Sequence, residues 1–417
     1  MKQYNVGVIG LGSRGGWWVG SMLADLDYVE ITGLCDVYED RIEASKKALR
    51  KKGRPVPPVL TQDWRALIDA PDVEVVLVFS SWGNHVEAAI RALRAGKPVA
   101  IEVGGASGIE ECRALVEAQE QTGTPFMLLE NCCYGEYELM ALNMARHGLF
   151  GDIVHCDGGY LHDLRDEIGR GNETRHYRFN EYLTGNRENY PTHEIGPIAK
   201  ILGINNGNRF VSLVSVASRA AGLHAYIEAH ADLRKKYAET VFRQGDIVKT
   251  VITCADGSTV ALTLDTTLPR YYSRGLCVRG TKGFYEEATQ SVFLDGEKYG
   301  GAEWDWAPQF GNRKKYLKRW DHPIWKRYRR RGVKEQGHGG MDFLVIDAFF
   351  EALDKGLPMP IDVYDAATWM AISALSAESI KNGSQSVPFP DFTHGAWKTQ
   401  REEPDWKYRL EPDRQED

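Results

Sequence analysis

Gly10-Leu11-Gly12-Ser13-Arg14-Gly15 is the stretch that decides the fold of this chain. It fits the pattern G-x-G-x-x-G, which is weak on its own. Its setting makes it informative. The residues before it, Tyr4-Asn5-Val6-Gly7-Val8-Ile9, read as a short buried strand, and residues 14–26 carry a helical pattern. In a strand–turn–helix, Gly10 allows the tight turn and Gly12 lets backbone approach a pyrophosphate. Gly15 permits close packing of helix on strand. Ser13 and Arg14 then open a helix whose N-terminal N–H groups face the phosphates. The partner acid belongs at the end of the second strand, where Asp36 follows Gly33-Leu34-Cys35. A carboxylate there accepts hydrogen bonds from a ribose diol and repels a 2′-phosphate, which favours NAD over NADP.

Outward from this turn the pattern repeats. Residues 29–35, 73–79, 98–102 and 125–129 read as strands, and residues 41–51, 86–95 and 109–122 as helices. The run at 73–79 is continuously apolar, as in a strand covered on both faces. Strands alternating with helices of this length specify βαβ units and a parallel sheet. Ligands of such sheets bind at the carboxyl ends of the strands. Those ends carry Ser80, Trp82 and His85, then Glu102, then Glu130. The first four are candidate cofactor contacts. Trp82 either packs on the cofactor or is an ordinary aromatic under a loop.

The second half is organised differently. Residues 152–161 read as a strand, and 247–254 and 258–266 alternate around Ala255-Asp256-Gly257, a hairpin turn. Residues 276–280 and 283–287 continue the series, and helices return at 341–355 and 363–383. The stretches 163–189 and 300–338 read as long irregular loops, a length usually reserved for binding segments. The expected fold is an α/β Rossmann domain over residues 1–130, followed by an α+β domain with an open, mostly antiparallel sheet over 131–417. A polar tail is expected from about 398.

Length and charge agree with two soluble domains. The 417 residues carry 51 Lys and Arg against 58 Asp and Glu, a net charge of −7. That balance does not suit a nucleic-acid partner. The basic run Arg327-Tyr328-Arg329-Arg330-Arg331 is the exception, and reads more simply as a solvated or carboxylate-pairing patch. No run approaches the roughly 20 apolar residues of a membrane span. The 7 cysteines show no CxxC spacing, so neither a metal site nor a disulfide framework is expected. A cytoplasmic location fits best, although a removed export signal would leave no trace.

Taken together, these residues resemble the glucose–fructose oxidoreductase, inositol dehydrogenase and MocA family (Gfo/Idh/MocA). Many of its members carry Glu-Lys-Pro where this chain reads Glu102-Val103-Gly104, so the family's proton-transfer lysine is absent. A narrower resemblance accounts for that. Leu129-Glu130-Asn131-Cys132-Cys133-Tyr134, the stretch from Gly159 to Arg165, Tyr190-Pro191-Thr192-His193-Glu194, the stretch from Leu268 to Gly275, and Gly337-His338-Gly339-Gly340-Met341-Asp342 are similar to glycoside hydrolase family 109. The resemblance implies an NAD-dependent glycosidase, typified by α-N-acetylgalactosaminidases, with site residues at Glu130, Tyr160, His193 and Tyr272. The loop between Arg165 and Tyr190 follows no pattern that identifies the sugar.

Each of these residues also has a plainer reading. His193 near a helix start is by default a structural hydrogen-bonding group. Tyr160 would be core or rim, and Tyr272 an exposed strand edge. His338 lies in Gly-His-Gly-Gly, whose backbone can approach a ligand closely, and is read as a substrate contact. The redox route gives all of them a task. The sugar is oxidised at C3, which acidifies the C2 hydrogen. The C1–O bond then breaks by elimination, water adds, and C3 is reduced again. His193 or Tyr160 takes the hydroxyl proton, and Tyr160 is favoured as the base at C2. A tyrosine base needs its pKa lowered from about 10 by nearby positive charge, for which Arg165 and a protonated His193 are candidates. The alternative is a sugar or glycoside dehydrogenase that releases a 3-keto product. The expected partners are a small-molecule or oligosaccharide substrate and, by analogy with the family, a second copy of the chain.

Overall fold

The computed structural model describes residues 1–299, 304–305, 307–331, 337–401 and 403–411. The chain divides into two compact units. The first comprises Met1–Asn131 and Val333–Ala371, the second Cys132–Gly332 and Ile372–Asp417.

The first unit holds a six-stranded sheet in the order β3-β2-β1-β4-β5-β6. Its strands are β1 (Tyr4–Ile9), β2 (Val29–Cys35), β3 (Val59–Thr61), β4 (Val75–Val78), β5 (Val99–Ile101) and β6 (Phe126–Leu128). Every pairing is parallel. The order reverses between β1 and β4, and that switch point is where such sheets bind ligands. The elements Val59–Thr61 and Trp64–Asp69 are too short, at 3 and 6 residues, to show a periodicity in the sequence.

The helix Met341–Lys355, which follows all but the last strand of the second sheet in sequence, packs with the first compact unit. The reason is its apolar face. The Phe350 ring centre lies 5.6 Å from that of Tyr4 on β1 and 5.5 Å from that of Tyr28. The chain after this helix also caps the sheet, since Leu128 N donates to Ile361 O at 3.2 Å. That bond covers the edge strand β6, which would otherwise offer unpaired backbone groups.

The second unit holds an eight-stranded sheet in the order β13-β12-β11-β7-β10-β9-β8-β14. Its strands are β7 (Ile153–Leu161), β8 (Phe210–Ala217), β9 (Ile247–Cys254), β10 (Thr259–Asp265), β11 (Cys277–Gly280), β12 (Gly283–Glu286), β13 (Ser291–Leu294) and β14 (Val387–Pro388). All pairs are antiparallel except β10 with β7. The expected hairpin joins β9 and β10, with Gly257 at φ +89° and Asp256 Oδ1 accepting Ser258 N at 2.9 Å. Strand β9 alternates buried and exposed residues along its length, as one covered and one open face require. Strand β8, FVSLVSVA, was missed because serines interrupt its apolar alternation.

Two expected loops are structured. Residues 163–189 form three short helices, Arg165–Gly169, Gly171–Thr174 and Arg178–Thr184. Each is too short to show a periodicity. In the second loop, Arg313–Trp320 and Pro323–Arg330 are helical, while 300–303, 306 and 332–336 lie outside the described residues. Within the basic run, Arg329 pairs with Glu136 and Asp321. The tail expected to be merely polar is anchored by alternating apolar residues, since Trp406, Tyr408 and Leu410 are all buried. Residues 412–417 lie outside the described residues.

Candidate active site

In the first unit the glycine turn is built so that only glycine fits at two of its positions. Gly10 has φ +88°, and a Cβ there would lie 2.5 Å from Ser80 N. A Cβ on Gly15 would lie 1.9 Å from Gly10 O. The first helix, Ser13–Ser21, therefore sits directly on the end of β1. Gly12 caps it without a side-chain hydrogen bond, and its first turn contains no acid. Among described atoms, a Cβ on Gly12 would meet only the Arg41 guanidinium, at 3.6 Å. The helix N-terminus thus has uncapped N–H groups and open space in front of them, which fits a dinucleotide pyrophosphate.

Asp36 lies at the end of β2 and is buried. Its Oδ2 accepts Leu11 N at 2.7 Å, and its Oδ1 accepts Tyr38 N at 3.0 Å. The carboxylate therefore braces the glycine turn. Ser80 supplies the backbone that Gly10 packs against. His85 is buried, with Nε2 2.8 Å from Ser80 O, and burial lowers its pKa, so the ring is neutral. Trp82 is 4% exposed, and a Cβ on Gly104 would lie 2.3 Å from its ring. Glu130 is fully buried at 0% exposure.

Arg14 and Glu102 are joined in an ion pair, Nε to Oε2 at 2.7 Å. Arg14 also grips both oxygens of Asp342, at 2.9 and 2.7 Å. Burial opposes the Arg14 charge, but Glu102 and Asp342 outweigh it and raise its pKa. His338 is half exposed, and its Nδ1 lies 2.8 Å from Asp342 Oδ2.

In the second unit, one face gathers Tyr160, His162, Tyr190, His193 and Tyr272. The Tyr160 ring centre lies 4.4 Å from Tyr190, 5.8 Å from His193 and 6.4 Å from Tyr272. Tyr160 Oη is 3.3 Å from His162 Nδ1, and Tyr190 Oη is 3.4 Å from His193 Nε2. Glycine again sets the spacing. Gly158 on β7 faces the helix Thr192–Leu202, and a Cβ there would lie 2.9 Å from Ile198 Cδ1 and 3.0 Å from Glu194 Cβ. Without a side chain at 158, the helix that carries His193 closes onto the strand that carries Tyr160.

The electrostatics correct one expectation. Burial pushes the Tyr160 phenol up to about 12, and the nearest opposing influence is Arg178. Arg165 is not that cation. It is bound at 2.8 and 2.7 Å by Asp163 and lies over the Tyr226 ring. Arg178 is 8% exposed, with its guanidinium 5.1 Å from the Tyr190 ring centre and Nη1 2.5 Å from Glu167 Oε1. Arg178, Tyr190 and His162 are the members that sequence reasoning missed. Arg178 lies in the segment read as patternless, and a lone arginine there carries no sequence signal. Tyr190 was visible, three residues before His193.

No helix among the described residues is long and apolar enough to cross a membrane.

Comparison with known proteins completes the picture. Residues 134–399 match the glycosyl hydrolase 109 C-terminal domain, and residues 4–129 match the oxidoreductase family NAD-binding Rossmann fold. A glycosyl hydrolase family 109 protein of Stenotrophomonas maltophilia is 38% identical, over 96% of this chain and 91% of the relative. An alpha-N-acetylgalactosaminidase of Tannerella forsythia is 37% identical, over 94% of this chain and 86% of the relative. Among solved structures, a levoglucosan dehydrogenase in complex with NADH superposes with a TM-score of 0.66 at 20% identity, over 93% of this chain and 100% of that one. An aldose-aldose oxidoreductase from Caulobacter crescentus gives 0.64 at 15% identity, over 93% and 100%. At those identities the likeness is one of fold.

Proposed function

The chain belongs to the glycosyl hydrolase 109 family, a glycoside hydrolase with an NAD-binding Rossmann domain, and from that we propose that it hydrolyses α-N-acetylgalactosaminides with NAD retained as a catalyst. The observation that carries this reading is the Tyr160–Tyr190–His193 cluster, with Arg178 beside it, in a chain that also has the glycine turn of a dinucleotide site. A hydrolase acting through two carboxylates needs both free to flank the bond. Two acids close in sequence to the cluster are already engaged, Asp163 by Arg165 and Glu167 by Arg178.

Gly10, Gly12, Ser13, Gly15 and Asp36 would hold the dinucleotide, with Arg14, Ser80, Trp82, His85 and Glu102 around it. NAD+ bound there supplies a reversible hydride acceptor at the sugar C3, which acidifies the C2 hydrogen and makes the C1–O bond breakable by elimination. The chain's own part is proton handling. His193 takes the C3 hydroxyl proton at Nε2, the nitrogen already near Tyr190 Oη. Tyr160 removes the C2 hydrogen. With its pKa near 12 it is a neutral phenol in the resting protein. It must first give up its proton, and His162 Nδ1 at 3.3 Å is the acceptor in reach. Burial and Arg178 lower the His162 pKa, which keeps the ring neutral but makes it a weak base, so it relays the proton rather than holding it. Arg178 and the newly protonated His193 then stabilise the phenolate. Tyr272, whose ring centre lies 6.4 Å from that of Tyr160, would contact the sugar.

The test is an incubation of purified protein with an aryl α-N-acetylgalactosaminide in deuterated water, without added NAD. Hydrolysis with deuterium at C2 of the released sugar is the expected result. Absorbance growth at 340 nm that requires both added NAD and sugar would replace this reading with a 3-keto-forming dehydrogenase.

A further inference from the structure

Asp342 is completely buried at 0% exposure, at the start of the helix Met341–Lys355. Its carboxylate is saturated. Oδ1 accepts Arg14 Nη2 and Asn131 Nδ2, both at 2.7 Å. Oδ2 accepts Arg14 Nη1 at 2.9 Å and faces His338 Nδ1 at 2.8 Å. Two oxygens offer about four acceptor sites, so none is left for a ligand. Whatever Asp342 does, it does through its partners.

Those partners come from distant points of the sequence to one edge of the parallel sheet. Arg14 is in the glycine turn after β1. Asn131 follows β6. Through Arg14, the brace reaches Glu102 at the end of β5, whose second oxygen accepts its neighbour Val103 N at 3.1 Å. The last partner, His338, sits in a backbone that a free chain avoids. Gly337, His338, Gly339 and Gly340 all have positive φ, at +56°, +43°, +68° and +104°. The turn is pressed so closely that a Cβ on Gly337 would lie 2.4 Å from both Asp342 Oδ2 and the Trp17 ring. Left-handed geometry at a histidine is uncommon and needs holding contacts. The bond to Asp342 is one such contact. Burial opposes the carboxylate charge, yet the hydrogen bonds from Arg14 and His338 hold its pKa well below the usual carboxylate range.

Arg14 is pinned as a result. Three of its five N–H groups are spent on Glu102 and Asp342. Nη1 also lies 3.4 Å from His338 Nδ1, so the guanidinium is fixed at the first turn of the helix Ser13–Ser21. A preorganised cation loses less freedom on binding an anion than a mobile one, and this slows release.

We propose that Asp342 is a positioning residue that sets how long the dinucleotide stays bound, by locking Arg14, Asn131 and the His338 turn around its site. This rests on the NAD reading above. It adds the means of retention that a cycle without net redox requires.

The experiment measures NADH release from the full-length protein, chased with excess NAD+ and followed by energy transfer from tryptophan. Trp17 and Trp18 flank Arg14, with its guanidinium 5.5 and 5.1 Å from their ring centres. Asp342→Asn should release NADH about 10- to 100-fold faster, the range for loss of a charged hydrogen-bond partner. Arg14→Gln should do the same, and the double variant should be no faster than the faster single one. Release at the wild-type rate in Asp342→Asn, or additive effects in the double variant, would overturn the proposal. Should Asp342→Asn not fold, His338→Ala removes one partner from an exposed position and must still speed release. An unchanged rate there refutes the brace. If the wild-type protein bound no NADH at all, the cofactor reading would fall instead.

Discussion

The Arg178 guanidinium lies 6.0 Å from the centre of the Tyr160 ring, inside the second unit and almost fully shielded from water. At that distance and burial it is the main influence working against desolvation of the phenol. Arg178→Met keeps the length of the side chain and removes its charge. The phenol should then titrate above its present value near 12, because burial and the neighbouring Glu167 and Glu194 all raise it and nothing opposes them. In the glycosidase assay the ascending limb of the pH–rate profile, along which the phenol loses its proton, should move to higher pH, and turnover should fall by about 10- to 1,000-fold. An unchanged limb would separate Arg178 from the Tyr160 proton.

His193→Ala should abolish turnover while leaving NAD binding intact, because His193 and the glycine turn lie in different compact units. Turnover and NAD content of the purified variant check this. Activity near wild type would remove His193 from the proposed chemistry. His162→Phe removes the acceptor for the Tyr160 proton, so turnover should fall by about 100-fold or more, and activity near wild type would mean that Tyr160 loses its proton by another route.

Parts of this architecture were legible in the sequence for a physical reason. The glycine turn, Asp36 and the strands ending at Ser80 and Glu102 depend on local rules, namely backbone angles, strand periodicity and charge placement. The Tyr160 cluster needs register between distant elements. Tyr160 ends β7, His193 opens a helix packed on β7, and Arg178 comes from a short helix in a stretch that read as a loop. No spacing encodes those meetings. Arg165 was the nearer cation in sequence, but Asp163 holds it, and only coordinates show that Arg178 takes its place.

Gly158 offers a direct test of that register. Gly158→Ala would bring a methyl within 2.9 Å of Ile198 Cδ1, a flexible side-chain end, and within 3.0 Å of Glu194 Cβ, which is less free to move. Overpacking of this kind costs about 1–3 kcal/mol. The variant should melt several degrees lower and lose activity, because the His193 helix is displaced from β7. Adding Ile198→Val should recover part of the melting temperature. No recovery would place the strain at Glu194.

Asp36 carries two functions that one substitution can separate. Asp36→Asn removes the charge that disfavours a 2′-phosphate but keeps an oxygen for Leu11 N. NADP affinity should rise relative to NAD by about tenfold or more while the melting temperature falls little. Asp36→Ala removes both and should lower thermal stability as well. Titration of the two cofactors against each variant, with melting curves alongside, distinguishes them. A ratio that stays put in both variants would mean that Asp36 only braces the turn.

Glu188 and His322 set opposite ends of the stability profile. Burial pushes the Glu188 carboxyl up to about 8, partly offset by the Tyr190 N–H. Its folded pKa is raised, so the folded state keeps a proton that the unfolded chain has lost. The stabilisation is fully present below about 4.5, the ordinary glutamate value, and drains away as pH rises towards 8. His322 is reversed. Burial lowers it to about 4, with Nε2 3.0 Å from Leu410 O. Its contribution is present above about 6.5 and is lost as pH falls towards 4. Glu188→Gln should flatten the decline between pH 4.5 and 8. His322→Gln should flatten the acid side and lower the melting temperature at neutral pH, because the ring caps the helix Pro323–Arg330 through Ile324 N. Melting curves at half-unit pH steps check both. Parallel curves for wild type and Glu188→Gln across that window would show that Glu188 is already ionised in the folded protein.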